Sequence, residues 1–538
     1  MRRAKKSRTL LVALAAALVV AACAADEEAP AEEPAEVSEA TDEEPDGAED
    51  EAAEEEGVEE AREQVSIAVA NFPPSAEPWT GVGSPGQYIW SAVFDSLTVI
   101  GEQGDPEPAL AESWEAVDET TWEFTLRDGV EFHDGTPLTV DDVVGTFELL
   151  LSEEGAASYG SHVGNYRFIE SVTAADDTTV RIETSSPSPL VPAAISIVYI
   201  VPIDHFNEVG ADTFATEPIG TGPYSSASWG SDRIELERYD NSWRDANITR
   251  LEYVNLNDPA SRTQALQSGQ VDIIIAGSAD AALELEQAGY SNYVARSGRL
   301  MTIAMITNEG GPLAEREVRQ AMNLAVDAEA IAEALVGGLT SASAWPPEGV
   351  VGYDPDREPY GYDPERAREL LETAGYGDGF EISAEVTLGA FPADREIYES
   401  AAAYLSDVGI ELELTEIDFA QEWLPNYIGS GGADWAGDAF GSTWVSPPLL
   451  DGVRPLTQYR CDWSNPWFCD DELDRMLDEV NSELDADVRQ PKLAELLDHV
   501  HEEAPVLWLV ELVELWVTDS DLSGWQVHNF NPTFDQLS

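Results

Sequence analysis

The spacing of apolar side chains divides the chain into three stretches. Leu10 to Ala22 is an unbroken apolar run behind a basic front of Arg2, Arg3, Lys5, Lys6 and Arg8. It is too short for a permanent transmembrane helix and reads as a secretory leader. From Ala24 to about Gln64 there is no aromatic and almost no branched aliphatic residue, so this stretch cannot offset its ordering entropy and is expected as an extended spacer. From Val65 the pattern is that of a folded protein. Val65, Ile67 and Val69 alternate as a strand, as do Trp122, Phe124 and Leu126, after which Asp128-Gly129 predicts a turn into a second strand at Val130 and Phe132. Thr139, with Asp142 three positions on, predicts a helix whose apolar face is Val143, Val144, Phe147 and Leu150. Asp363-Pro364 opens another helix, Ala393 to Asp407 reads as a third, and Leu507 to Val517 is a mostly apolar run. Strand and helix patterns mixed in this way predict α/β layers, and no internal repeat is visible.

Composition narrows the function classes. The length of 538 residues, with 43% hydrophobic content, predicts two to four domains. The net charge of −78 would repel nucleic-acid phosphates, which excludes a nucleic-acid partner, and fits an acidic surface suited to high salt. After the leader Lys492 is the only lysine, which removes Schiff-base chemistry and a phosphate-loop lysine. No Gly-x-Ser-x-Gly and no His-Glu-x-x-His is present, and the six histidines are dispersed. His133 is expected to be structural, and His499 and His501 to sit at a helix end. No metal, no cofactor and no catalysis is therefore expected. The alternative from the enzyme class is a secreted hydrolase with carboxylate chemistry, for which abundant Asp and Glu give no specific signal.

Val20-Ala21-Ala22-Cys23 resembles a bacterial lipobox, with Val20 where Leu is commoner. The resemblance implies a signal peptide over 1–22, a lipidated Cys23, an acidic tether over 23–64, and a protein held at the outer face of the cell membrane. Cys461 and Cys469 then remain as an even pair in an oxidising space, where a disulfide is expected over two buried free thiols.

The most specific part of the globe is Pro108-Ala-Leu-Ala-Glu-Ser-Trp114, the Thr121 to Gly135 hairpin pattern, and Pro137-Leu-Thr-Val-Asp-Asp-Val-Val144. Together they resemble family 5 of the bacterial extracellular solute-binding proteins, which serve peptide and nickel importers of the ATP-binding-cassette class. Pro218-Ile-Gly-Thr-Gly-Pro-Tyr224, Val318-Arg-Gln-Ala321 and Tyr362 to Tyr376 extend the resemblance over nearly all of 65–538. It implies a two-lobed type II clamp with an additional domain. Lobe one is expected over 65–98, 222–306 and 505–538, the additional domain over 99–221, and lobe two over 307–504. It further implies a monomer that captures a ligand between its lobes and delivers it to a permease and ATPase complex. A peptide is the leading ligand class, with an oligosaccharide as the alternative within the family.

Site residues follow from the same resemblance. Asp434-Trp-Ala-Gly-Asp438 is similar to a Trp-x-x-Asp segment whose aspartate meets a ligand amino group, a role that would fall on Asp438. Arg395, at the head of its helix, is placed like a carboxylate-binding arginine, and Tyr88 like a cleft-lining residue. Five tryptophans fall between 423 and 467 among Gly, Ser and Pro, and of these Trp435 and Trp444 are the expected apolar walls for a ligand.

Overall fold

The structure, a computed structural model, describes residues 62–81, 86–338, 344–389, 391–428, 436–529 and 531–538. The leader, Cys23 and nearly all of the acidic tether lie outside the described residues, as does Trp435. Among the described residues no helix is long and apolar enough to cross a membrane.

Ten strands form one mixed sheet. In chain order they are β1 (Gln64–Val69), β2 (Tyr224–Trp229), β3 (Arg233–Arg238), β4 (Arg250–Asn255), β5 (Ile273–Ile275), β6 (Ser291–Met305), β7 (Phe380–Val386), β8 (Ile410–Glu416), β9 (Ala439–Val445) and β10 (Val506–Thr518). Their order across the sheet is β8-β7-β9-β6-β10-β5-β1-β4-β3-β2. β1 starts one residue before the expected Val65, and Arg62 already pairs with Asp272 at 2.8 Å.

The long strands β6 and β10 run antiparallel as a ribbon through the centre. Both are apolar on two faces because each face meets a core. Met301, Ile303 and Met305 enter one core with Leu507 and Leu509, while Leu300, Ala304 and Ile306 enter another with Val506 and Trp508. Leu509 and Val510 both face the first of these cores, the break in alternation that a bulge produces, and the ribbon's register shifts between Leu300 and Thr302.

A separate antiparallel sheet takes the order Ala111–Asp118, Thr121–Leu126, Thr179–Thr184, Ile169–Ala174, and the helix Val140–Leu151 packs on it. Here one sequence expectation is corrected. Thr121–Leu126 pairs with the strands on either side of it in that sheet, not with a strand after Gly129. Val130 to Leu138 instead closes on itself, with Phe132 N–H donating to Thr136 O and Leu138 N–H to Val130 O. The capping box is as expected, with Thr139 N–H donating to Asp142 Oδ2 at 3.0 Å.

Candidate functional site

The pairing directions locate the site. β5 lies antiparallel to the Thr518 to Trp516 end of β10, so it runs towards the middle of the ribbon, and β1 and β4 run parallel to it. β9 runs antiparallel to β6 from Met305 towards Arg299, again towards the middle, and β7 and β8 run parallel to β9. The carboxyl ends of both parallel sets therefore converge on the ribbon's waist from opposite sides. Ligands of open α/β sheets bind outside the carboxyl ends of the strands. At that waist the ribbon loses register between Arg296 and Arg299, and Gly298 adopts a φ of +60°.

A cavity of about 340 Å³ opens there, within the size range of small-ligand sites. Tyr293, Trp516 and Trp525 supply aromatic wall, and Arg296, Glu348 and His528 supply charged or titratable groups. Trp516 and Trp525 are fully buried, with ring centroids 5.1 Å apart. Neither indole N–H finds a hydrogen-bond partner among the described residues, and the buried Oδ1 of Asn529, also on the cavity wall, has none either. Polar atoms buried in this way ordinarily have partners; these are enclosed within the wall itself and do not open onto the cavity.

The charges beside the cavity are organised around Arg296. Its Nη1 donates to Glu511 Oε2 at 2.5 Å and its Nη2 lies 3.2 Å from Glu348 Oε2. Burial in the strand pushes the Glu511 carboxyl above its ordinary range, and the Arg296 charge opposes that shift. His528 Nε2 lies 3.3 Å from Glu102 Oε1.

The expected site residues separate. Tyr88, on the helix Gly86–Val93, is buried directly behind the cavity: it packs edge-on against Trp516 with centroids 5.0 Å apart, and its hydroxyl donates to Glu514. Arg395 stands at the head of the helix Asp394–Asp407 as expected, but lines a different hollow and holds Glu416 at 3.0 Å. Two others do not line the cavity. Asp438 precedes by seven residues Val445, the partner of Arg299, which at about 3.3 Å per residue puts it roughly 23 Å down the strand from the waist. Its carboxylate accepts from the Ser383 N–H at 2.9 Å and the Ser383 hydroxyl at 3.1 Å, so it fastens β9 to β7. Trp444 is a core side chain, 1% exposed, donating from Nε1 to the Tyr459 hydroxyl at 2.8 Å and packed edge-on against Trp345 and Trp508. Apolar contact explains its position without a ligand.

Cys461 and Cys469 form a disulfide beside the helix Asp471–Asn481. His133 is held by the backbone of Gly220 and Gly222, and His499 by Asp470 at 2.8 Å. Among the described residues the one group with metal-ligand types in reach is Cys461, Cys469 and Asp471, whose two sulfurs are already bonded to each other.

Sequence reasoning passed over Arg296, Glu348, Glu511, Glu514, Trp516 and Trp525. A signal for some of them was present: Glu511 and Glu514 interrupt an otherwise apolar strand, and an acid inside such a run needs a partner.

Comparison with known proteins bears on the same architecture. Heme-binding protein A of Haemophilus influenzae is 27% identical over 431 residues, 74% of this chain and 78% of that protein. Glutathione-binding protein GsiB of Pectobacterium atrosepticum is 24% identical over 483 residues, 86% of this chain and 91% of that protein. The solved structure of HbpA2 from Haemophilus parasuis superposes with a TM-score of 0.78 at 22% identity, covering 88% of this chain and 99% of that one, which establishes the type II binding-protein clamp as the fold. The description "Bacterial extracellular solute-binding proteins, family 5 Middle" matches residues 105–450. With more than half its length matched, and with its strands converging on a waist cavity as a solute clamp requires, the chain belongs to family 5 of the bacterial extracellular solute-binding proteins.

Proposed function

We propose that this protein is a lipid-anchored extracytoplasmic receptor that captures a small peptide at the waist and delivers it to an importer of the ATP-binding-cassette class. The observation that carries the reading is the convergence of two sets of strand carboxyl ends on a cavity of about 340 Å³ walled by Tyr293, Trp516 and Trp525. Glutathione, the ligand in the name of one relative, is itself a tripeptide.

In this reading lobe one comprises 65–98, 222–306 and 505–538, lobe two 307–504, and 99–221 forms the added domain. Tyr88 braces the aromatic wall from behind, and Arg395, in its separate hollow, is open to a carboxylate only in competition with Glu416 and apart from the waist. The lobes close because the ligand touches both and so binds the closed form more tightly. The protein works as a monomer and performs no chemistry on its ligand. Cys23 carries the anchor, and the acidic segment after it holds the clamp off the membrane.

The test is mass spectrometry of ligand released from the purified, undenatured protein, followed by calorimetry with what is found. A co-purifying peptide that rebinds supports the reading. A preparation that carries no solute and binds no member of a tripeptide library sinks it. Turnover of such a library would move the protein to the hydrolase class, and binding of an oligosaccharide alone would move it to the sugar binders.

A further inference from the structure

A short two-stranded ribbon, Thr98–Ile100 paired with Pro106–Pro108, stands apart from the larger sheets, and its turn lines the waist cavity through Gly101, Glu102 and Gln103. The base of the ribbon is fixed: the Thr98 hydroxyl donates to Pro192 O at 2.6 Å, and Ile100 is buried. The turn is closed on itself, with Gly101 N–H donating to Asp105 O at 2.9 Å and Gly104 N–H to Gly101 O at 3.1 Å. A lone two-stranded ribbon is at best marginally stable in water, so a tip held in one place needs a partner.

The partner is a pair of loops that also line the cavity. Glu102, Gln103 and Asp105 are exposed, yet Gly104 between them is buried. What covers it is backbone: a Cβ on Gly104 would lie 2.7 Å from Gly349 O, 3.0 Å from Val351 N and 3.1 Å from Leu450 O. The two loops that supply these atoms are joined by Val351 N–H donating to Leu450 O at 2.8 Å and Gly452 N–H to Val351 O at 3.0 Å. They are held from behind by the buried Asp451–Arg489 pair and by the Trp345 indole N–H, which donates to Gly452 O at 2.9 Å. Val350, Leu449 and Leu450 pack in the same core cluster as Ile100, although their neighbours Trp345 and Val453 belong to a different core. The loops therefore leave their own core to meet the ribbon.

We propose that the ribbon is a catch between the lobes: its turn, seated through Gly104 on the backbone of Gly349, Val351 and Leu450, holds lobe two against the added domain and keeps the clamp shut without a solute. The inference rests on the lobe division proposed above and adds to it a contact that no ligand makes. Glycine is what the seat requires, because φ at Gly104 is +86° and any side chain would wedge the two backbones apart. A contact that favours the closed form in the absence of ligand sets how much of the open form is present to receive one.

The experiment uses the full mature chain carrying Cys23→Ser and Ala295→Cys, in which the new thiol is the only one outside the Cys461–Cys469 disulfide. Ala295 lines the cavity and is 9% exposed. Two readouts are taken with no solute present: the rate at which the neutral reagent N-ethylmaleimide labels that thiol, and the radius of gyration from small-angle X-ray scattering. Gly104→Val should raise the labelling rate about tenfold and the radius of gyration by roughly 1 Å. Replacing Gly101 to Asp105 with Asn-Gly, a two-residue turn that keeps Ile100 paired with Pro106, should do the same, and it stands in for Gly104→Val should that variant not fold. Gly135→Val is the control. Its φ is +82° but nothing lies within 4 Å of its Cβ, so it carries the backbone strain without the wedge and should leave both readouts unchanged. An unchanged radius of gyration in either folded variant overturns the inference, and faster labelling without expansion makes the turn a fixed wall. Equal changes in Gly135→Val also overturn it, since strain alone would then explain them. Because no solute is used, each of these results leaves peptide capture to its own test, and failure of that test leaves the catch standing.

Discussion

At the scale of single residues, buried polar groups set how the molecule responds to acid and to truncation. His162 is buried with both ring nitrogens used: Nε2 donates to Ile197 O at 3.1 Å and Nδ1 accepts from the Tyr166 hydroxyl at 2.9 Å. The neutral ring makes both contacts, and burial, which disfavours the charged form, pushes its pKa down from 6.5 to about 4. Between those values the unfolded chain binds the proton that the folded one refuses. The stability this residue contributes is complete above pH 6.5 and is lost as pH falls to about 4, a difference of about 3 kcal/mol. Urea unfolding at pH 7 and pH 4.5 should show a steeper loss in the native chain than in His162→Gln; equal slopes would contradict the assignment. Asp451 and Arg489 form a second such group, a two-point ion pair at 2.8 and 3.1 Å with both side chains buried. Asp451→Ala leaves the guanidinium without its partner and should cost about 3–5 kcal/mol in urea unfolding. Adding Arg489→Met should recover much of that, whereas additive losses would mean that the pair is not the source.

At the scale of elements, the ribbon's waist depends on Gly298. Its φ of +60° is unfavourable for a side chain by roughly 1–2 kcal/mol, and a Cβ there would lie 2.7 Å from Ser446 Oγ and 2.8 Å from Leu450 Cδ2. Ser446 in turn donates from Oγ to Gly298 O at 2.9 Å. Gly298→Ala should therefore lower stability by about 2 kcal/mol or more and weaken ligand affinity together with it, since β6 and the segment after β9 meet at this point beside the cavity. Unchanged affinity in a destabilised variant would separate the waist from the binding site. Local signals of this kind explain what could be read from the sequence. Thr139 with Asp142, and Asp363 with Pro364, specify helix starts within four residues, and both helices begin where expected. The turn at Gly129 was legible too, with its φ of +75°, but not that Thr121–Leu126 pairs on one side with Thr179–Thr184, which lies more than fifty residues away, because pairing across that distance leaves no local mark. The site was less legible for the same reason. A glycine-rich, tryptophan-rich segment drew attention to Trp444, yet its side chain is absorbed by the core, whereas Trp516 reaches the cavity wall only through the register of β10 against β6, and Trp525 through the segment that follows β10.

At the scale of the whole molecule, a net charge of −78 opposes folding. Like charges spread over a compact body repel, and the repulsion is relieved when the chain expands, so it subtracts from stability. Salt screens it, with a Debye length of about 10 Å at 0.1 M and about 3 Å at 1 M. Few cations offset the excess locally: arginines such as Arg475, held by Glu472 and Glu479, and Arg460, held by Asp462 and Asp478, are each shared between two acids. Raising NaCl from 0.1 to 1 M should then lift the thermal unfolding midpoint by about 5 °C or more, corresponding to a few kcal/mol. A midpoint that falls with salt would show that attractive ion pairs outweigh repulsion in the folded state.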